Sequence, residues 1–214
     1  MKTATITMIL ALATIAAGCT TAPQRSRNLA DPSVSGKTLA QQVCSNCHGV
    51  DGNSVSPNFP KLAAQQQDYF IAELNEFKGH KRNDPEGFEY MWGISRSLSD
   101  RQIKELAAYF AAQKPQPLPP GDRKLVAAGE QIFTKGLPAQ GVPPCSTCHG
   151  AHGQGNGQYP RIADQHADYV LKQLKVFQRT NERPDGIAMK AVTHSLNPQN
   201  MEAVAAYLRQ MPPQ

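Results

Sequence analysis

Apolar side chains along this chain recur at helical spacing. Phe70, Leu74 and Phe77 stand three and four positions apart, as do Ile103, Leu106, Ala107 and Phe110, the stripe of a half-buried helix. In the first half this predicts a short helix capped by Ser35 and running through Val43, a second over about Ala64 to Lys78, and a third opening after Ser99. Ser99 can cap that third helix while Gln102 reaches back to it, and Pro115 ends it. In the second half, helices are expected over Arg123 to Lys135, Ala163 to Gln178 and Pro198 to Gln210, with Asn197 as cap and Pro198 at the first helical position. No stretch alternates as a strand does, so the expected class is all-α.

The helices form two sets because the sequence repeats itself. "CSNCHG" at 44 answers "CSTCHG" at 145, and "FPKLAAQQQDYF" at 59 answers "YPRIADQHADYV" at 159. Further on, Leu74 pairs with Leu174, Phe77 with Phe177, Met91 with Met189, Leu98 with Leu196 and Tyr109 with Tyr207. Markers kept in phase over so long a span mean one fold used twice, over residues 35–114 and 122–214. Between them, "KPQPLPPG" supplies a proline-rich linker (115–121), semi-rigid and extended. The second copy carries an insert, "TKGLPAQGVPP", read as a surface loop.

The opening "MKTATITMILALATIAAGC" has one lysine, an apolar run too short for the roughly 20 residues of a membrane span, and small residues before Cys19. It reads as a signal peptide over 1–18, which places the mature chain outside the cytoplasm. Cys19 is the odd cysteine of five. "TIAAGC" resembles a bacterial lipobox, with Ala16 where leucine is commoner, and a lipidated Cys19 would anchor the protein through a flexible tether over 19–34; the alternative is that Cys19 is discarded with the signal. The net charge of +5 comes without any basic block, which disfavours nucleic-acid binding.

Chemistry resides in the two C-x-x-C-H motifs. Cys44 with Cys47, and Cys145 with Cys148, are spaced to bond the vinyl edge of a haem, and His48 or His149 then stands where its imidazole can bind the iron. A structural zinc would want four ligands and a second ligand pair that neither half has. A thioredoxin-type dithiol would want strands around it. Covalent attachment of two haem c groups is the reading adopted. For the sixth ligand, Met91 lies 43 residues after His48 and Met189 lies 40 after His149, each seven residues before a leucine. A thioether opposite an imidazole raises the potential and closes the coordination sphere, as in an electron carrier. Met201 and Met211 compete in the second half, Met201 being suited to a core role. His80, His152, His166 and His194 have no histidine counterpart in the other copy and are read as surface or loop residues.

The succession of C-x-x-C-H, "FPKLAAQ" or "YPRIADQ", then methionine and a last helix with "LAAYF" or "VAAYL", resembles class I cytochromes c. The doubled arrangement is similar to the di-haem cytochrome c4 family. That resemblance implies two tandem class I cytochrome c domains, each a small helical bundle around one covalent haem. It implies that the carbonyls of Pro60 and Pro160 receive the second ring nitrogens of His48 and His149. It further implies that Gly36 and Gly129 let the first helix cross closely against Tyr109 and Tyr207, and that haem propionates lie near a pseudo-twofold interface.

The expected function is a monomeric, periplasmic electron carrier, not an enzyme, taking electrons from a quinol-oxidising complex or dehydrogenase and passing them to a terminal cytochrome oxidase. The alternatives are a haem enzyme, either a di-haem peroxidase or a thiosulfate-oxidising cytochrome, and an electron-transfer subunit of a dehydrogenase complex. Residues 36–114 hold nine basic and nine acidic side chains and 121–214 hold ten and seven, so the second lobe is expected to face an acidic partner. Each lobe is small and poor in aromatics, so a buried haem is expected to complete its core.

Overall fold

The computed structural model describes residues 25–212. The expected signal peptide and Cys19 lie outside them. Among the described residues the elements are helical, with only two isolated antiparallel bridges.

In the first domain, α1 spans 36–48: Gly36–Leu39, a wider π turn over Ala40–Cys44, then Ser45–His48. Ser35 caps it, its hydroxyl accepting the Thr38 N–H at 3.1 Å. The helix thus runs beyond the expected end at Val43, and the extra residue of the π turn re-phases the last turn, which carries the cysteine motif. α2 (Gln67–Lys78) buries Phe70, Leu74 and Phe77. α3 spans 87–95, a π turn over Gly87–Met91 leading into Trp92–Ser95. α4 (Asp100–Ala111) starts at the Ser99 and Gln102 capping box and buries Ile103, Leu106, Ala107 and Phe110.

The second domain follows the same order in α5 (Arg123–Lys135), α6 (Ser146–His149), α7 (Ala167–Arg179), α8 (Ile187–Thr193) and α9 (Pro198–Gln210). Here α5 stops at Gly136, whose φ of 69° needs a glycine, and the insert intervenes before the motif. It is not a plain surface loop: it turns back through a Leu137–Val142 bridge and buries Val142 in the core.

First and last helices cross in contact. A β-carbon on Gly129 would meet the Ala203 carbonyl oxygen at 2.0 Å and Tyr207 Cβ at 2.7 Å, and one on Gly36 would meet Cβ of Glu105, the repeat counterpart of Ala203, at 2.5 Å. Gly36 thus crosses at Glu105, one turn before the expected Tyr109, and Glu105 also accepts the Gly36 N–H at 2.6 Å, satisfying an orphan donor of the first turn of α1. The end of the expected tether is also held. Leu29 and Val34 pack into the first core, and Gln102 donates to the carbonyls of Asp31 and Val34, each at 3.0 Å.

Among the described residues two separate cores form, one per domain, and the domains dock through two buried polar networks. In the first, Lys61 pairs with Asp164 and donates to the Gln116 carbonyl, while Asp164 accepts the Leu118 N–H at 2.9 Å, which fastens the linker into the interface. In the second, Glu73 accepts from both Arg82 and Arg183, Arg82 also bonds Asp84, and the Asn83 N–H donates to the Glu182 carbonyl at 2.7 Å. The guanidinium groups of Arg82 and Arg183 lie over Phe77 and Phe177 at 4.4 and 4.5 Å. Two cations against two carboxylates leave no net buried charge, the condition for burying them at all.

Beside this network, Glu76 meets Asp185 across the domain boundary. Burial first, then the hydrogen bond and the charge of Asp185, push the Glu76 carboxyl up to about 7. The folded state therefore holds this proton more tightly than the unfolded chain, so the contribution is complete below the ordinary carboxylate range and is lost as pH rises through about 7. His166, lowered by burial, acts in the opposite sense below its ordinary value, so the useful comparison is between proteins. Wild type is expected to exceed E76Q in pH dependence by about 1 kcal/mol between pH 5.5 and 8, allowing for solvent screening. Parallel thermal melts at the two pH values check this; equal dependence in both proteins would refute it.

Candidate haem centres

Each C-x-x-C-H motif occupies the final helical turn of its segment, so both thiols and the histidine leave one short stretch of rigid backbone. Cys44 and Cys145 pack against their domain cores, as do Met91 and Met189. Burial, and secondarily the neighbouring thiol of the same motif, pushes Cys44 up to about 12 and Cys145 up to about 11. A dithiol redox catalyst needs the opposite shift, toward thiolate. Among the described residues, no three His, Cys, Asp or Glu side chains gather as a metal-ion cluster, whereas a zinc site takes four ligands.

His48 Nδ1 lies 2.9 Å from the Pro60 carbonyl, and His149 Nδ1 lies 2.9 Å from that of Pro160. A carbonyl only accepts, so Nδ1 carries the proton and Nε2 is left with its lone pair for a metal. Burial keeps both imidazoles below their ordinary range, in the neutral, ligating form. Phe59 and Tyr159 stand edge-on to these histidines at 6.1 and 6.5 Å, and Phe59 continues to Tyr90, the neighbour of Met91, at 5.8 Å.

The methionines sit on α3 and α8, two short helices that the apolar pattern did not predict. Four residues after each stands a fully buried hydroxyl: Ser95 Oγ donates to the Met91 carbonyl at 2.7 Å and Thr193 Oγ1 to that of Met189 at 2.8 Å. Sequence reasoning missed this pair, although a hydroxyl at matched offset in both copies was there to find. Trp92 Nε1 donates to the Arg82 carbonyl at 2.8 Å, and His80 stacks on the Trp92 ring at 4.2 Å, bracing the loop ahead of Met91. Met201 and Met211 are both core residues. The expectation for the four lone histidines holds in part: His80, His152 and His194 are exposed, but His166 is buried, its Nε2 2.8 Å from the Ser54 carbonyl of the other domain.

One group tests the fit of a haem directly. Arg161 is buried, and its Nη2 has no hydrogen-bond partner. Asp164 supplies a nearby negative charge, but the open Nη2 still calls for a hydrogen-bond acceptor, which a haem propionate would provide. Together with a paired-thiol edge and an imidazole presenting a free Nε2, the donor set suits a covalently bound haem.

These features define a c-type cytochrome built twice over. The Cytochrome c family model matches residues 33–114 and again 126–212. Cytochrome c4 of Azotobacter vinelandii is 41% identical over 177 residues, spanning 78% of this chain and 83% of the relative. The crystal structure of reduced recombinant cytochrome c4 from Pseudomonas stutzeri superposes with a TM-score of 0.75 at 37% identity, covering 83% of this chain and 97% of that one. A thiosulfate dehydrogenase electron acceptor from Thiomonas intermedia is 30% identical over 176 residues, covering 79% and 78%. The chain belongs to the cytochrome c4 family: it is a di-haem electron-transfer cytochrome with two tandem cytochrome c domains and two covalently bound haem c groups.

Proposed function

We propose that Cys44 and Cys47 hold one haem and Cys145 and Cys148 the other, with His48 and Met91, and His149 and Met189, as axial ligands. Pro60 and Pro160 fix the tautomer of the two histidines. Arg161 receives a propionate. Bound in this way, each haem supplies a one-electron ferrous/ferric couple. The residues around it keep the coordination sphere closed: the carbonyls orient the imidazoles, and Ser95 and Thr193 fix the backbone that carries the thioethers. The observation that carries this reading is the same neutral imidazole, with Nδ1–H committed to a proline carbonyl and Nε2 free, standing in both domains.

Such a site exchanges electrons and needs neither nucleophile nor proton donor. The protein is a monomeric periplasmic carrier, fed by a quinol-oxidising complex or a dehydrogenase and discharging to a terminal cytochrome oxidase. Among the described residues no helix is long and apolar enough to cross a membrane; a lipid on Cys19 would anchor the carrier at the membrane surface. The more cationic second lobe meets the acidic partner. A second reading, favoured by the relative named as an electron acceptor of thiosulfate dehydrogenase, places this chain beside a sulfur-oxidising dehydrogenase; reduction by such an enzyme faster than by a quinol-oxidising complex would select it.

Redox titration of the purified holoprotein with optical and near-infrared spectra tests the ligation. Two low-spin haems with the methionine-to-iron band, and no carbon monoxide uptake at neutral pH, are expected. Carbon monoxide binding by the untreated ferrous protein would instead mark an open iron and an enzyme.

A further inference from the structure

The two glutamines at repeat-equivalent positions, Gln65 and Gln165, each accept the N–H of the next residue in their own domain, Gln66 at 2.9 Å and His166 at 3.0 Å, and also reach into the other domain. Gln165 is buried and crosses the interface, where its Oε1 accepts the Lys61 N–H at 2.9 Å and its Nε2 donates to the Lys61 carbonyl at 3.0 Å. Gln65 mirrors it on Arg161, accepting the N–H at 2.7 Å and donating to the carbonyl at 3.0 Å. The Lys61 N–H belongs to the same peptide unit as the Pro60 carbonyl, which holds His48 Nδ1. Likewise the Arg161 N–H shares its peptide with the Pro160 carbonyl, which holds His149 Nδ1. In each case a continuous chain runs from a glutamine of one domain, through one planar amide, to the axial histidine of the other.

We infer that Gln65 and Gln165 are positioning residues that tune the haem of the opposite domain. Hydrogen bonds in series polarise one another. An acceptor on the N–H end of an amide raises the basicity of its oxygen, strengthens the bond from histidine Nδ1–H, and makes the imidazole a stronger donor to iron. That favours the ferric state. Because the glutamine comes from the partner domain, the docking of the two halves enters the potential of each, and the effect crosses over: a change in the second domain is read in the first.

The inference rests on the axial-ligand reading above. Its test is the holoprotein carrying Q165L or Q65L, titrated with each haem followed separately through the methyl resonance of Met91 or Met189. Q165L is expected to raise the ferrous-to-ferric ratio of the first-domain haem two- to fivefold at fixed ambient potential, a shift of about 20–40 mV for one electron, and to leave the second-domain haem near wild type. Q65L is expected to do the reverse, and either variant alone decides if the other is poorly stable. Q165E, which keeps an acceptor on the Lys61 N–H, is expected to cancel the rise. A shift confined to the mutated domain, an equal shift of both haems, or no shift overturns the inference. If the wild-type protein itself shows no methionine-ligated haem, it is the axial-ligand reading that has failed.

Discussion

With Cys44, Cys47, Cys145 and Cys148 all changed to serine, the chain is expected to emerge colourless and to lose its cooperative melt. Among the described residues the first core cluster comprises ten buried residues and the second thirteen, thin cores for domains that must offset about 1–2 kcal/mol of backbone entropy per ordered residue. Cys44, Cys145, Met91 and Met189 line those cores only partly buried, so the cofactor completes an apolar surface that the side chains leave open. Folding and cofactor retention are therefore one equilibrium. The pair C44S/C47S alone is expected to halve the haem content and melt the first domain while the second persists. Haem counting with far-UV circular dichroism against temperature checks both, and a sharp melt of the haem-free chain near the wild-type temperature would show that the polypeptide supports its own fold.

Replacing Met91 by alanine is expected to open the first iron to carbon monoxide and to lower its potential by a few tenths of a volt, within the roughly 0.8 V that axial ligands span. M189A should do the same at the second haem. The contrast is with Met201, which is 2% exposed on α9. M201A should cost about 2–5 kcal/mol of stability through a cavity and leave the ligand spectrum alone. If M201A rather than M189A abolishes the methionine band, the axial assignment in the second domain is wrong. Spectroelectrochemistry of the three variants separates these outcomes.

Much of this was legible in the residues themselves, and the successes share a cause. The Ser99 and Gln102 box, the Asn197 cap and the stripe of Phe70, Leu74 and Phe77 are interactions between neighbours three or four positions apart, which a helix brings together whatever surrounds it. The C-x-x-C-H motifs belong to the same class, since their spacing is itself the geometry. α3 and α8 were missed because they are short and show no apolar stripe; Ser95 and Thr193 close them locally on the Met91 and Met189 carbonyls, and Trp92 on the Arg82 carbonyl braces α3 against the loop before it.

The sequence by itself determined the repeat, the helical class, the two motifs and the matched methionines, all of which are local or periodic. Only the tertiary structure decided how the halves speak to each other. Gln165 meets Lys61, His166 meets Ser54, and Glu73 gathers Arg82 with Arg183 across about a hundred residues of chain. No spacing rule encodes such contacts, because buried polar groups are satisfied by whatever partner the packing of two finished domains brings within reach.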